Sequence, residues 1–191
     1  MPLPGRVAQY CGLGITALAA AAASIAAAPG PAGIFGAGLG ILMLAIAVID
    51  ARRFIIPNSL NAAAFVIGLL DAATRAGWDG ALSSVLRGGA LALSLLIIRA
   101  GYQWLRGRQG IGLGDVKLAG VAGAWLDWTM MPIAIDTAAL AALAIYTLHW
   151  MRGGQALQRA TRVPFGLFLA PAIWLCWMLG TSFASRILPG S

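Results

Sequence analysis

Residues 110–125 read GIGLGDVKLAGVAGAW, with three alternating glycines, then Asp115, then a nearly unbroken apolar run. The run shows no alternation of polar and apolar residues, which a strand of a membrane β-barrel would need. It has the character of a helix in apolar surroundings. The stretch therefore predicts a buried or lipid-exposed helix with one acidic residue at its start.

The rest of the chain has the same composition. Of its 191 residues, 60% are hydrophobic and 10% are charged, whereas soluble domains average about 25% charged residues. So little charge cannot cover a water-compatible surface, which indicates an integral membrane protein. Lipid offers no hydrogen-bond partners, so the backbone N–H and C=O groups of a membrane segment must bond to each other. Long Ala-, Leu- and Ile-rich segments meet this requirement as helices. We predict an all-α fold, a polytopic transmembrane helical bundle.

A membrane span needs roughly 20 apolar residues, and this criterion predicts about six or seven spans in a single domain covering residues 1–191. The predicted spans are 10–28, 34–49, 60–76, 88–104, 116–131, 132–150 and 163–183. The first segment has an alternative interpretation, because Arg6, an apolar run and AAAPG (26–30) resemble a signal peptide. We favour a retained span.

The basic residues predict an orientation. With the N-terminus in the cytoplasm, eight arginines lie inside and three outside, as the positive-inside rule expects. The inside set is Arg6, Arg52, Arg53, Arg106, Arg108, Arg152, Arg159 and Arg162, and the outside set is Arg75, Arg87 and Arg186. The net charge of +7 therefore indicates membrane lipids as partners and no nucleic acid. We expect a multi-pass protein of the cytoplasmic membrane.

All six acidic residues are aspartates, and depth separates them. Ionisable groups at membrane depth are costly and are candidates for function. Asp50 ends the second predicted span and Asp115 begins the fifth, both on the inner side. The other four lie toward the outer side: Asp71, Asp79, Asp127 and Asp136. The topology thus predicts one pair of carboxylates at a common depth.

Two carboxylates within a few Å cannot both ionise, so they share a proton. One then activates water as a base and the other protonates the substrate carbonyl as an acid, which is aspartyl peptidase chemistry. Gly110, Gly112 and Gly114 allow a tight turn and close approach of a substrate. Because Asp115 opens a helix, whose dipole favours an anion, we expect it to be the more acidic of the pair.

Simpler interpretations stay open for single residues. Asp115 suits a helix N-cap, and Asp50 suits a solvated charge beside neighbouring arginines. Lys117 either pairs with Asp115 or a substrate carboxylate, or extends to the headgroups. Arg99 either steadies a carboxylate or extends likewise.

Three segments resemble the type IV prepilin peptidases, membrane aspartyl proteases of bacteria and archaea. GLGDVKLAG (112–120) is similar to the family's GxGD signature. In AVIDARRFIIPNSLN (47–61), Asp50 is followed by Pro57 and Asn58, where the family has proline and then Asp or Asn. VPFGLFLAP (163–171) is similar to a PFGP-type motif, with Leu167 where proline is common. The resemblance covers roughly residues 40–175.

The resemblance implies membrane helices with a catalytic pair, Asp50 and Asp115, near the cytoplasmic face, and no cofactor or metal. It implies a prepilin substrate, cut after a glycine that follows a short basic leader, and the pilus assembly machinery as a further partner. Residues that match motif positions are expected to support the site or bind substrate: Gly112, Gly114, Lys117, Pro57, Asn58, Pro164, Phe165 and Gly166.

Larger family members carry a cytoplasmic insert with paired CxxC motifs and also N-methylate the new pilin terminus. The two cysteines here, Cys11 and Cys176, form no such pair. The chain resembles the short, peptidase-only kind associated with Flp-type tight-adherence pili, so we predict no methyltransferase activity. Two alternatives remain: a small proton-coupled transporter, which needs aspartates near the bilayer midplane, and a non-enzymatic pilus assembly factor.

Overall fold

The computed structural model describes residues 4–108, 110–152 and 164–187, which form helices and no strands. The six helices of this part are α1 Pro4–Ala27, α2 Pro31–Arg53, α3 Asn58–Arg106, α4 Leu113–Trp125, α5 Met130–Met151 and α6 Gly166–Ile187. Within the same residues, α2, α3, α5 and α6 are each long and apolar enough to cross a membrane. The predicted all-α membrane bundle is confirmed.

Helix α3 is 49 residues long but is broken at Ala76 and Gly77, whose backbone angles are not helical. Gly77 has φ +60°, which favours glycine because it has no side chain. The break separates a first arm (58–75) from a second arm (78–106). A Cβ on Gly88 of the second arm would lie 3.0 Å from Cε2 of Phe65 in the first. The two packed arms correspond to the third and fourth predicted spans.

Helix α4 is shorter than predicted. Its 13 residues extend about 20 Å, less than the roughly 30 Å of a bilayer's hydrocarbon core. The chain then turns, and Oδ1 of Asp127 accepts hydrogen bonds from the N–H groups of Thr129 (3.0 Å) and Met130 (2.8 Å). This cap starts α5 at Met130, before Pro132. The segment predicted as a fifth span is therefore a short helix, almost entirely buried.

Close backbone contact holds α4 against the second arm of α3. A Cβ on Gly123 would lie 2.6 Å from the carbonyl oxygen of Arg87 and 2.7 Å from Cα of Gly88, so only glycine fits there. On the first arm, Nε1 of Trp125 donates a 2.8 Å hydrogen bond to the carbonyl oxygen of Ala64. The Trp125 ring also meets Trp177 of α6 edge-on, with centroids 6.0 Å apart. Helix α4 is thus fixed between α3 and α6.

Candidate active site

Asp50 lies in the last turn of α2 with its side chain 5% exposed. Its Oδ2 accepts a 3.0 Å hydrogen bond from the backbone N–H of Leu167, in the first turn of α6. A Cβ on Gly166 would lie 2.8 Å from the same oxygen, so the carboxylate rests directly on the start of α6. The first N–H groups of a helix have no partner within it, and its dipole favours negative charge there. This contact favours the anionic form of Asp50, while the burial of the carboxylate opposes it.

Asp115 lies in the first turn of α4, a helix too short to span the membrane. Burial and the charge of Asp50 raise the pKa of Asp115 to about 6, while a hydrogen bond from the Gly112 backbone lowers it in part. The helix dipole alone predicts a more acidic group, but burial and the neighbouring charge outweigh it. The structure thus brings Asp50 and Asp115, 65 positions apart in the sequence, into one electrostatically coupled site.

Ile56 joins the three elements around this site, although nothing in the sequence analysis selected it. It is 9% exposed, whereas its neighbours Phe54 and Ile55 are largely exposed. A Cβ on Gly114 would lie 3.1 Å from the Ile56 side chain, and one on Gly166 would lie 2.9 Å from it. The two motif glycines therefore leave space for Ile56. The one available signal was an aliphatic residue directly before a motif proline.

Pro57, Asn58 and Lys117 form a second connection at this end of the bundle. Pro57 precedes α3, and its carbonyl oxygen accepts the N–H of Asn61 at 3.1 Å. Oδ1 of Asn58 accepts a 2.8 Å hydrogen bond from Nζ of Lys117. The sequence suggested Asp115 as one partner of Lys117, but Lys117 donates to Asn58. The lysine instead ties α4 to the first turn of α3.

The glycine-rich loop before α4 is held by the second arm of α3. Nη1 of Arg99 donates a hydrogen bond to the carbonyl oxygen of Ile111, so Arg99 steadies the loop rather than a carboxylate. Gly110 lies against the ring of Tyr102, where a Cβ would come within 2.7 Å of Cδ1. Gly112 is the N-cap of α4, and its carbonyl oxygen accepts the N–H of Val116 at 3.3 Å.

Pro164 and Phe165 directly precede α6, and their carbonyl oxygens accept hydrogen bonds from its first turn. The carbonyl oxygen of Pro164 accepts the N–H of Leu167 at 3.2 Å, and that of Phe165 accepts the N–H of Leu169 at 2.9 Å. This turn carries the Leu167 N–H to Asp50. The donor is a backbone group, at a position where the resembling motif commonly has proline, which has no N–H. Side-chain patterns could not reveal it.

The orientation was predicted from arginines, and some of these lie outside the residues that the structure describes. Arg159 and Arg162 lie beyond the described ranges, as do the side chains of Arg6 and Arg186. Arg52, Arg53, Arg106 and Arg108 are described and exposed at the helix ends that adjoin the site. The predicted orientation therefore stays a prediction.

Comparison with known proteins gives consistent matches. The sequence pattern of the type IV leader peptidase family matches residues 37–148. A prepilin leader peptidase/N-methyltransferase of Burkholderia pseudomallei is 33% identical over 161 residues, 81% of this chain and 49% of that protein. A protein of the same name from Pseudomonas aeruginosa is 32% identical over 147 residues, 76% of this chain and 49% of its own length.

A third protein of that name, from Aeromonas salmonicida, is 29% identical over 183 residues, 88% of this chain and 57% of its own length. The chain thus spans about half the length of the curated relatives that it matches first. No solved structure matches it.

Proposed function

The chain belongs to the type IV leader peptidase family, and from this we propose that it is an aspartic endopeptidase that removes the leader from prepilins. The matched residues 37–148 include both Asp50 and Asp115. The observation that carries the proposal is that Ile56 lies against both Gly114, next to Asp115, and Gly166, which adjoins the Asp50 carboxylate. The charge of Asp50 also contributes to the raised pKa of Asp115. Two coupled carboxyl groups that share a proton are the requirement of aspartyl peptidase chemistry.

The surroundings of the pair support distinct roles. Asp50 accepts the Leu167 N–H and takes the anionic role of general base toward water. Asp115, with its pKa raised to about 6, is the group that holds the shared proton. Water attacks the scissile carbonyl while Asp50 takes a water proton and Asp115 protonates the carbonyl oxygen. The tetrahedral diol then collapses: Asp50 gives its proton to the leaving amine, and a diol hydroxyl returns a proton to Asp115.

The position of the pair suits a cut next to a hydrophobic segment. Asp50 lies in the last turn of α2, and exposed arginines follow it at positions 52 and 53. This end of the bundle then faces the cytoplasm, in the cytoplasmic membrane, with the N-terminus inside. A pilin precursor whose apolar helix lies in the bilayer would present its leader junction here.

The remaining features are also part of the proposal. Gly112, Gly114 and Gly166 leave room for the site, while Pro57, Asn58, Lys117, Pro164 and Phe165 position its helices. We place the peptidase in one domain over residues 1–191 and the pilus assembly machinery as a further partner. The chain carries no CxxC pair, so we propose peptidase activity without N-methylation, although the relatives are named for both.

The direct test is incubation of purified protein with a pilin precursor in detergent, followed by electrophoresis and N-terminal sequencing. The wild type is expected to give a shorter product with one new N-terminus, whereas Asp50→Asn and Asp115→Asn give none. Asp136→Asn is the matched control, since Asp136 is exposed on α5. Normal cleavage by either pair mutant would refute the assignment. With S-adenosylmethionine added, the product mass should stay unchanged.

The same variants separate the alternatives. A proton-coupled transporter would show pH-driven flux in liposomes that both pair mutants abolish, without cleavage of any precursor. A structural assembly factor would cleave no precursor, and both substitutions would leave its support of pilus assembly unchanged. Loss of cleavage without any flux supports the peptidase.

A further inference from the structure

A cavity of about 350 Å³, lined by both apolar and charged residues, lies at the break in α3. Ala124 and Trp125 of α4 close one side of it. Its volume is at the lower end of the roughly 300–1,000 Å³ that is usual for small-molecule sites. The remaining wall contains Ala72, Ala76 and Gly80 and six polar side chains: Asp71, Arg75, Asp79, Ser83, Ser84 and Arg87.

The cavity lies at the opposite membrane surface from Asp50 and Asp115. The first arm of α3 starts beside the candidate active site, at Asn58, and its 18 residues rise about 27 Å. This nearly equals the roughly 30 Å hydrocarbon core, so the break reaches the far headgroup layer. Trp78, next to the break, is 78% exposed, as is typical of residues at the membrane interface.

The acidic side of the cavity has an unused acceptor. Asp71 is 1% exposed, and its Oδ2 pairs with Arg75 one turn later. Its Oδ1 is buried and has no hydrogen-bond partner among the described residues. A buried carboxylate oxygen without a donor is energetically costly. Asp79, which is exposed, adds a second acidic group to this wall, so a ligand with N–H donors suits it.

The basic side is oriented by the protein. Nε of Arg87 donates to the carbonyl oxygen of Gly123 at 3.3 Å, and Nη2 donates to Oγ of Ser84 at 3.0 Å. These bonds fix the guanidinium plane and leave Nη1 for another acceptor. Arg75 lies on the same wall with its side chain 46% exposed. Guanidinium groups match the geometry of phosphate oxygens.

We propose that this cavity binds a phosphoethanolamine headgroup, with its ammonium at Asp71 and Asp79 and its phosphate at Arg75 and Arg87. Two acidic and two basic side chains suit a zwitterion better than an anionic headgroup. A choline headgroup keeps both charges, but its methylated nitrogen has no N–H to donate to Asp71. The inference concerns a site remote from the carboxylate pair and does not depend on the peptidase assignment.

Native mass spectrometry of the full chain in mixed micelles tests this, with equimolar phosphatidylethanolamine, phosphatidylcholine and phosphatidylglycerol. Phosphatidylethanolamine should be retained roughly tenfold over phosphatidylcholine, the ratio that a charge-assisted hydrogen bond supplies. Equal retention of these two lipids by the wild type would overturn the proposal. A second arm, without lipid, measures the binding of O-phosphoethanolamine to the protein. Binding of this soluble compound without retention of phosphatidylethanolamine would indicate a soluble ligand instead of a lipid.

Variants locate the site. Asp71→Asn and Asp79→Asn should each reduce selectivity for ethanolamine over choline, and Arg87→Gln should weaken retention of all three lipids. Asp79→Asn, at an exposed position, keeps the test valid if the buried Asp71→Asn does not fold. Asp136→Asn and Arg152→Gln, both exposed elsewhere, should leave retention unchanged. Unaltered selectivity in Asp79→Asn, together with unaltered lipid retention in Arg87→Gln, would also contradict the proposal.

Discussion

Nζ of Lys117 donates a 2.8 Å hydrogen bond to Oδ1 of Asn58, across 59 positions of sequence. Lys117 is two residues after Asp115, and Asn58 begins α3, directly after the loop that holds Ile56. The bond therefore links the segment that carries one carboxylate to the segment that follows the other. Its partners are exposed, so its value lies in positioning rather than in overall stability.

We expect Lys117→Met and Asn58→Leu each to reduce cleavage by about tenfold, because either change releases the start of α4. The double variant should lose no more than either single one, since both remove the same bond. Asn58→Asp keeps an acceptor for Lys117 and should stay close to wild type. Initial rates on one precursor measure all four; additive losses would show that the two residues act separately.

Gly166→Ala should abolish cleavage while the protein still inserts. The new methyl group would lie 2.8 Å from Oδ2 of Asp50 and 2.9 Å from Cδ1 of Ile56, which forces the carboxylate off the start of α6. We expect at least a hundredfold loss, as is usual for displaced catalytic groups. Gly89→Ala is the control, because a Cβ there meets nothing within 4 Å. Wild-type rates for Gly166→Ala would contradict the described packing.

Leu167→Pro removes the hydrogen bond to Asp50, together with the bond from the same N–H to the carbonyl oxygen of Pro164. Proline is well accommodated in the first turn of a helix but cannot donate an N–H, so the anion at Asp50 loses its donor. The acidic limb of the pH–rate profile should move to higher pH, because the anion at Asp50 loses a hydrogen-bond donor. Leu167→Ala keeps the N–H and should keep the limb where the wild type has it. Identical profiles for both variants would exclude a role for this donor.

Protonation of Asp115 should be visible by carboxyl ¹³C NMR of aspartate-labelled protein, because the chain has six aspartates and no glutamate. One signal should titrate near pH 6, from the pKa of Asp115. In Asp50→Asn this signal should titrate at lower pH, since a neighbouring negative charge has been removed. An unshifted signal would show that Asp50 does not act on Asp115.

The same pKa fixes the sign of two pH effects. The pKa of Asp115 is raised from 3.8 to about 6, so the folded protein binds more protons than the unfolded chain between these values. Stability should therefore fall as the pH rises from about 4 to about 6, and the contribution of Asp115 should then stay constant. Cleavage that requires protonated Asp115 should decline as the pH rises through 6. Thermal unfolding and cleavage rates across pH measure the two separately.

The membrane bundle was accessible from the sequence, because span length depends only on composition along the chain. Asp50 and Asp115 were selected because they fall at matching ends of predicted spans, and their catalytic role stays a prediction. The length of α4 was not accessible in this way. The apolar run continues past Trp125, so the sequence does not show that α4 ends there. The turn is recognised only from the side chain of Asp127, which caps α5.

The supporting contacts were inaccessible for a different reason. Leu167 acts through its backbone N–H, which every residue except proline has, so no residue type marks it. Ile56 matters because two glycines from distant segments leave space for it. Lys117 contacts Asn58 rather than Asp115, a choice between neighbouring acceptors that only three-dimensional placement decides.

The contact between Asp50 and Leu167 also sets an order of events during biosynthesis. Both acidic residues are translated before position 167. A nascent chain that ends before α6 thus possesses its two acids but lacks the helix start on which one of them rests. Proteolytic competence is therefore expected only after α6 has been inserted, which keeps the unfinished molecule inert toward other polypeptides at the same translocation site.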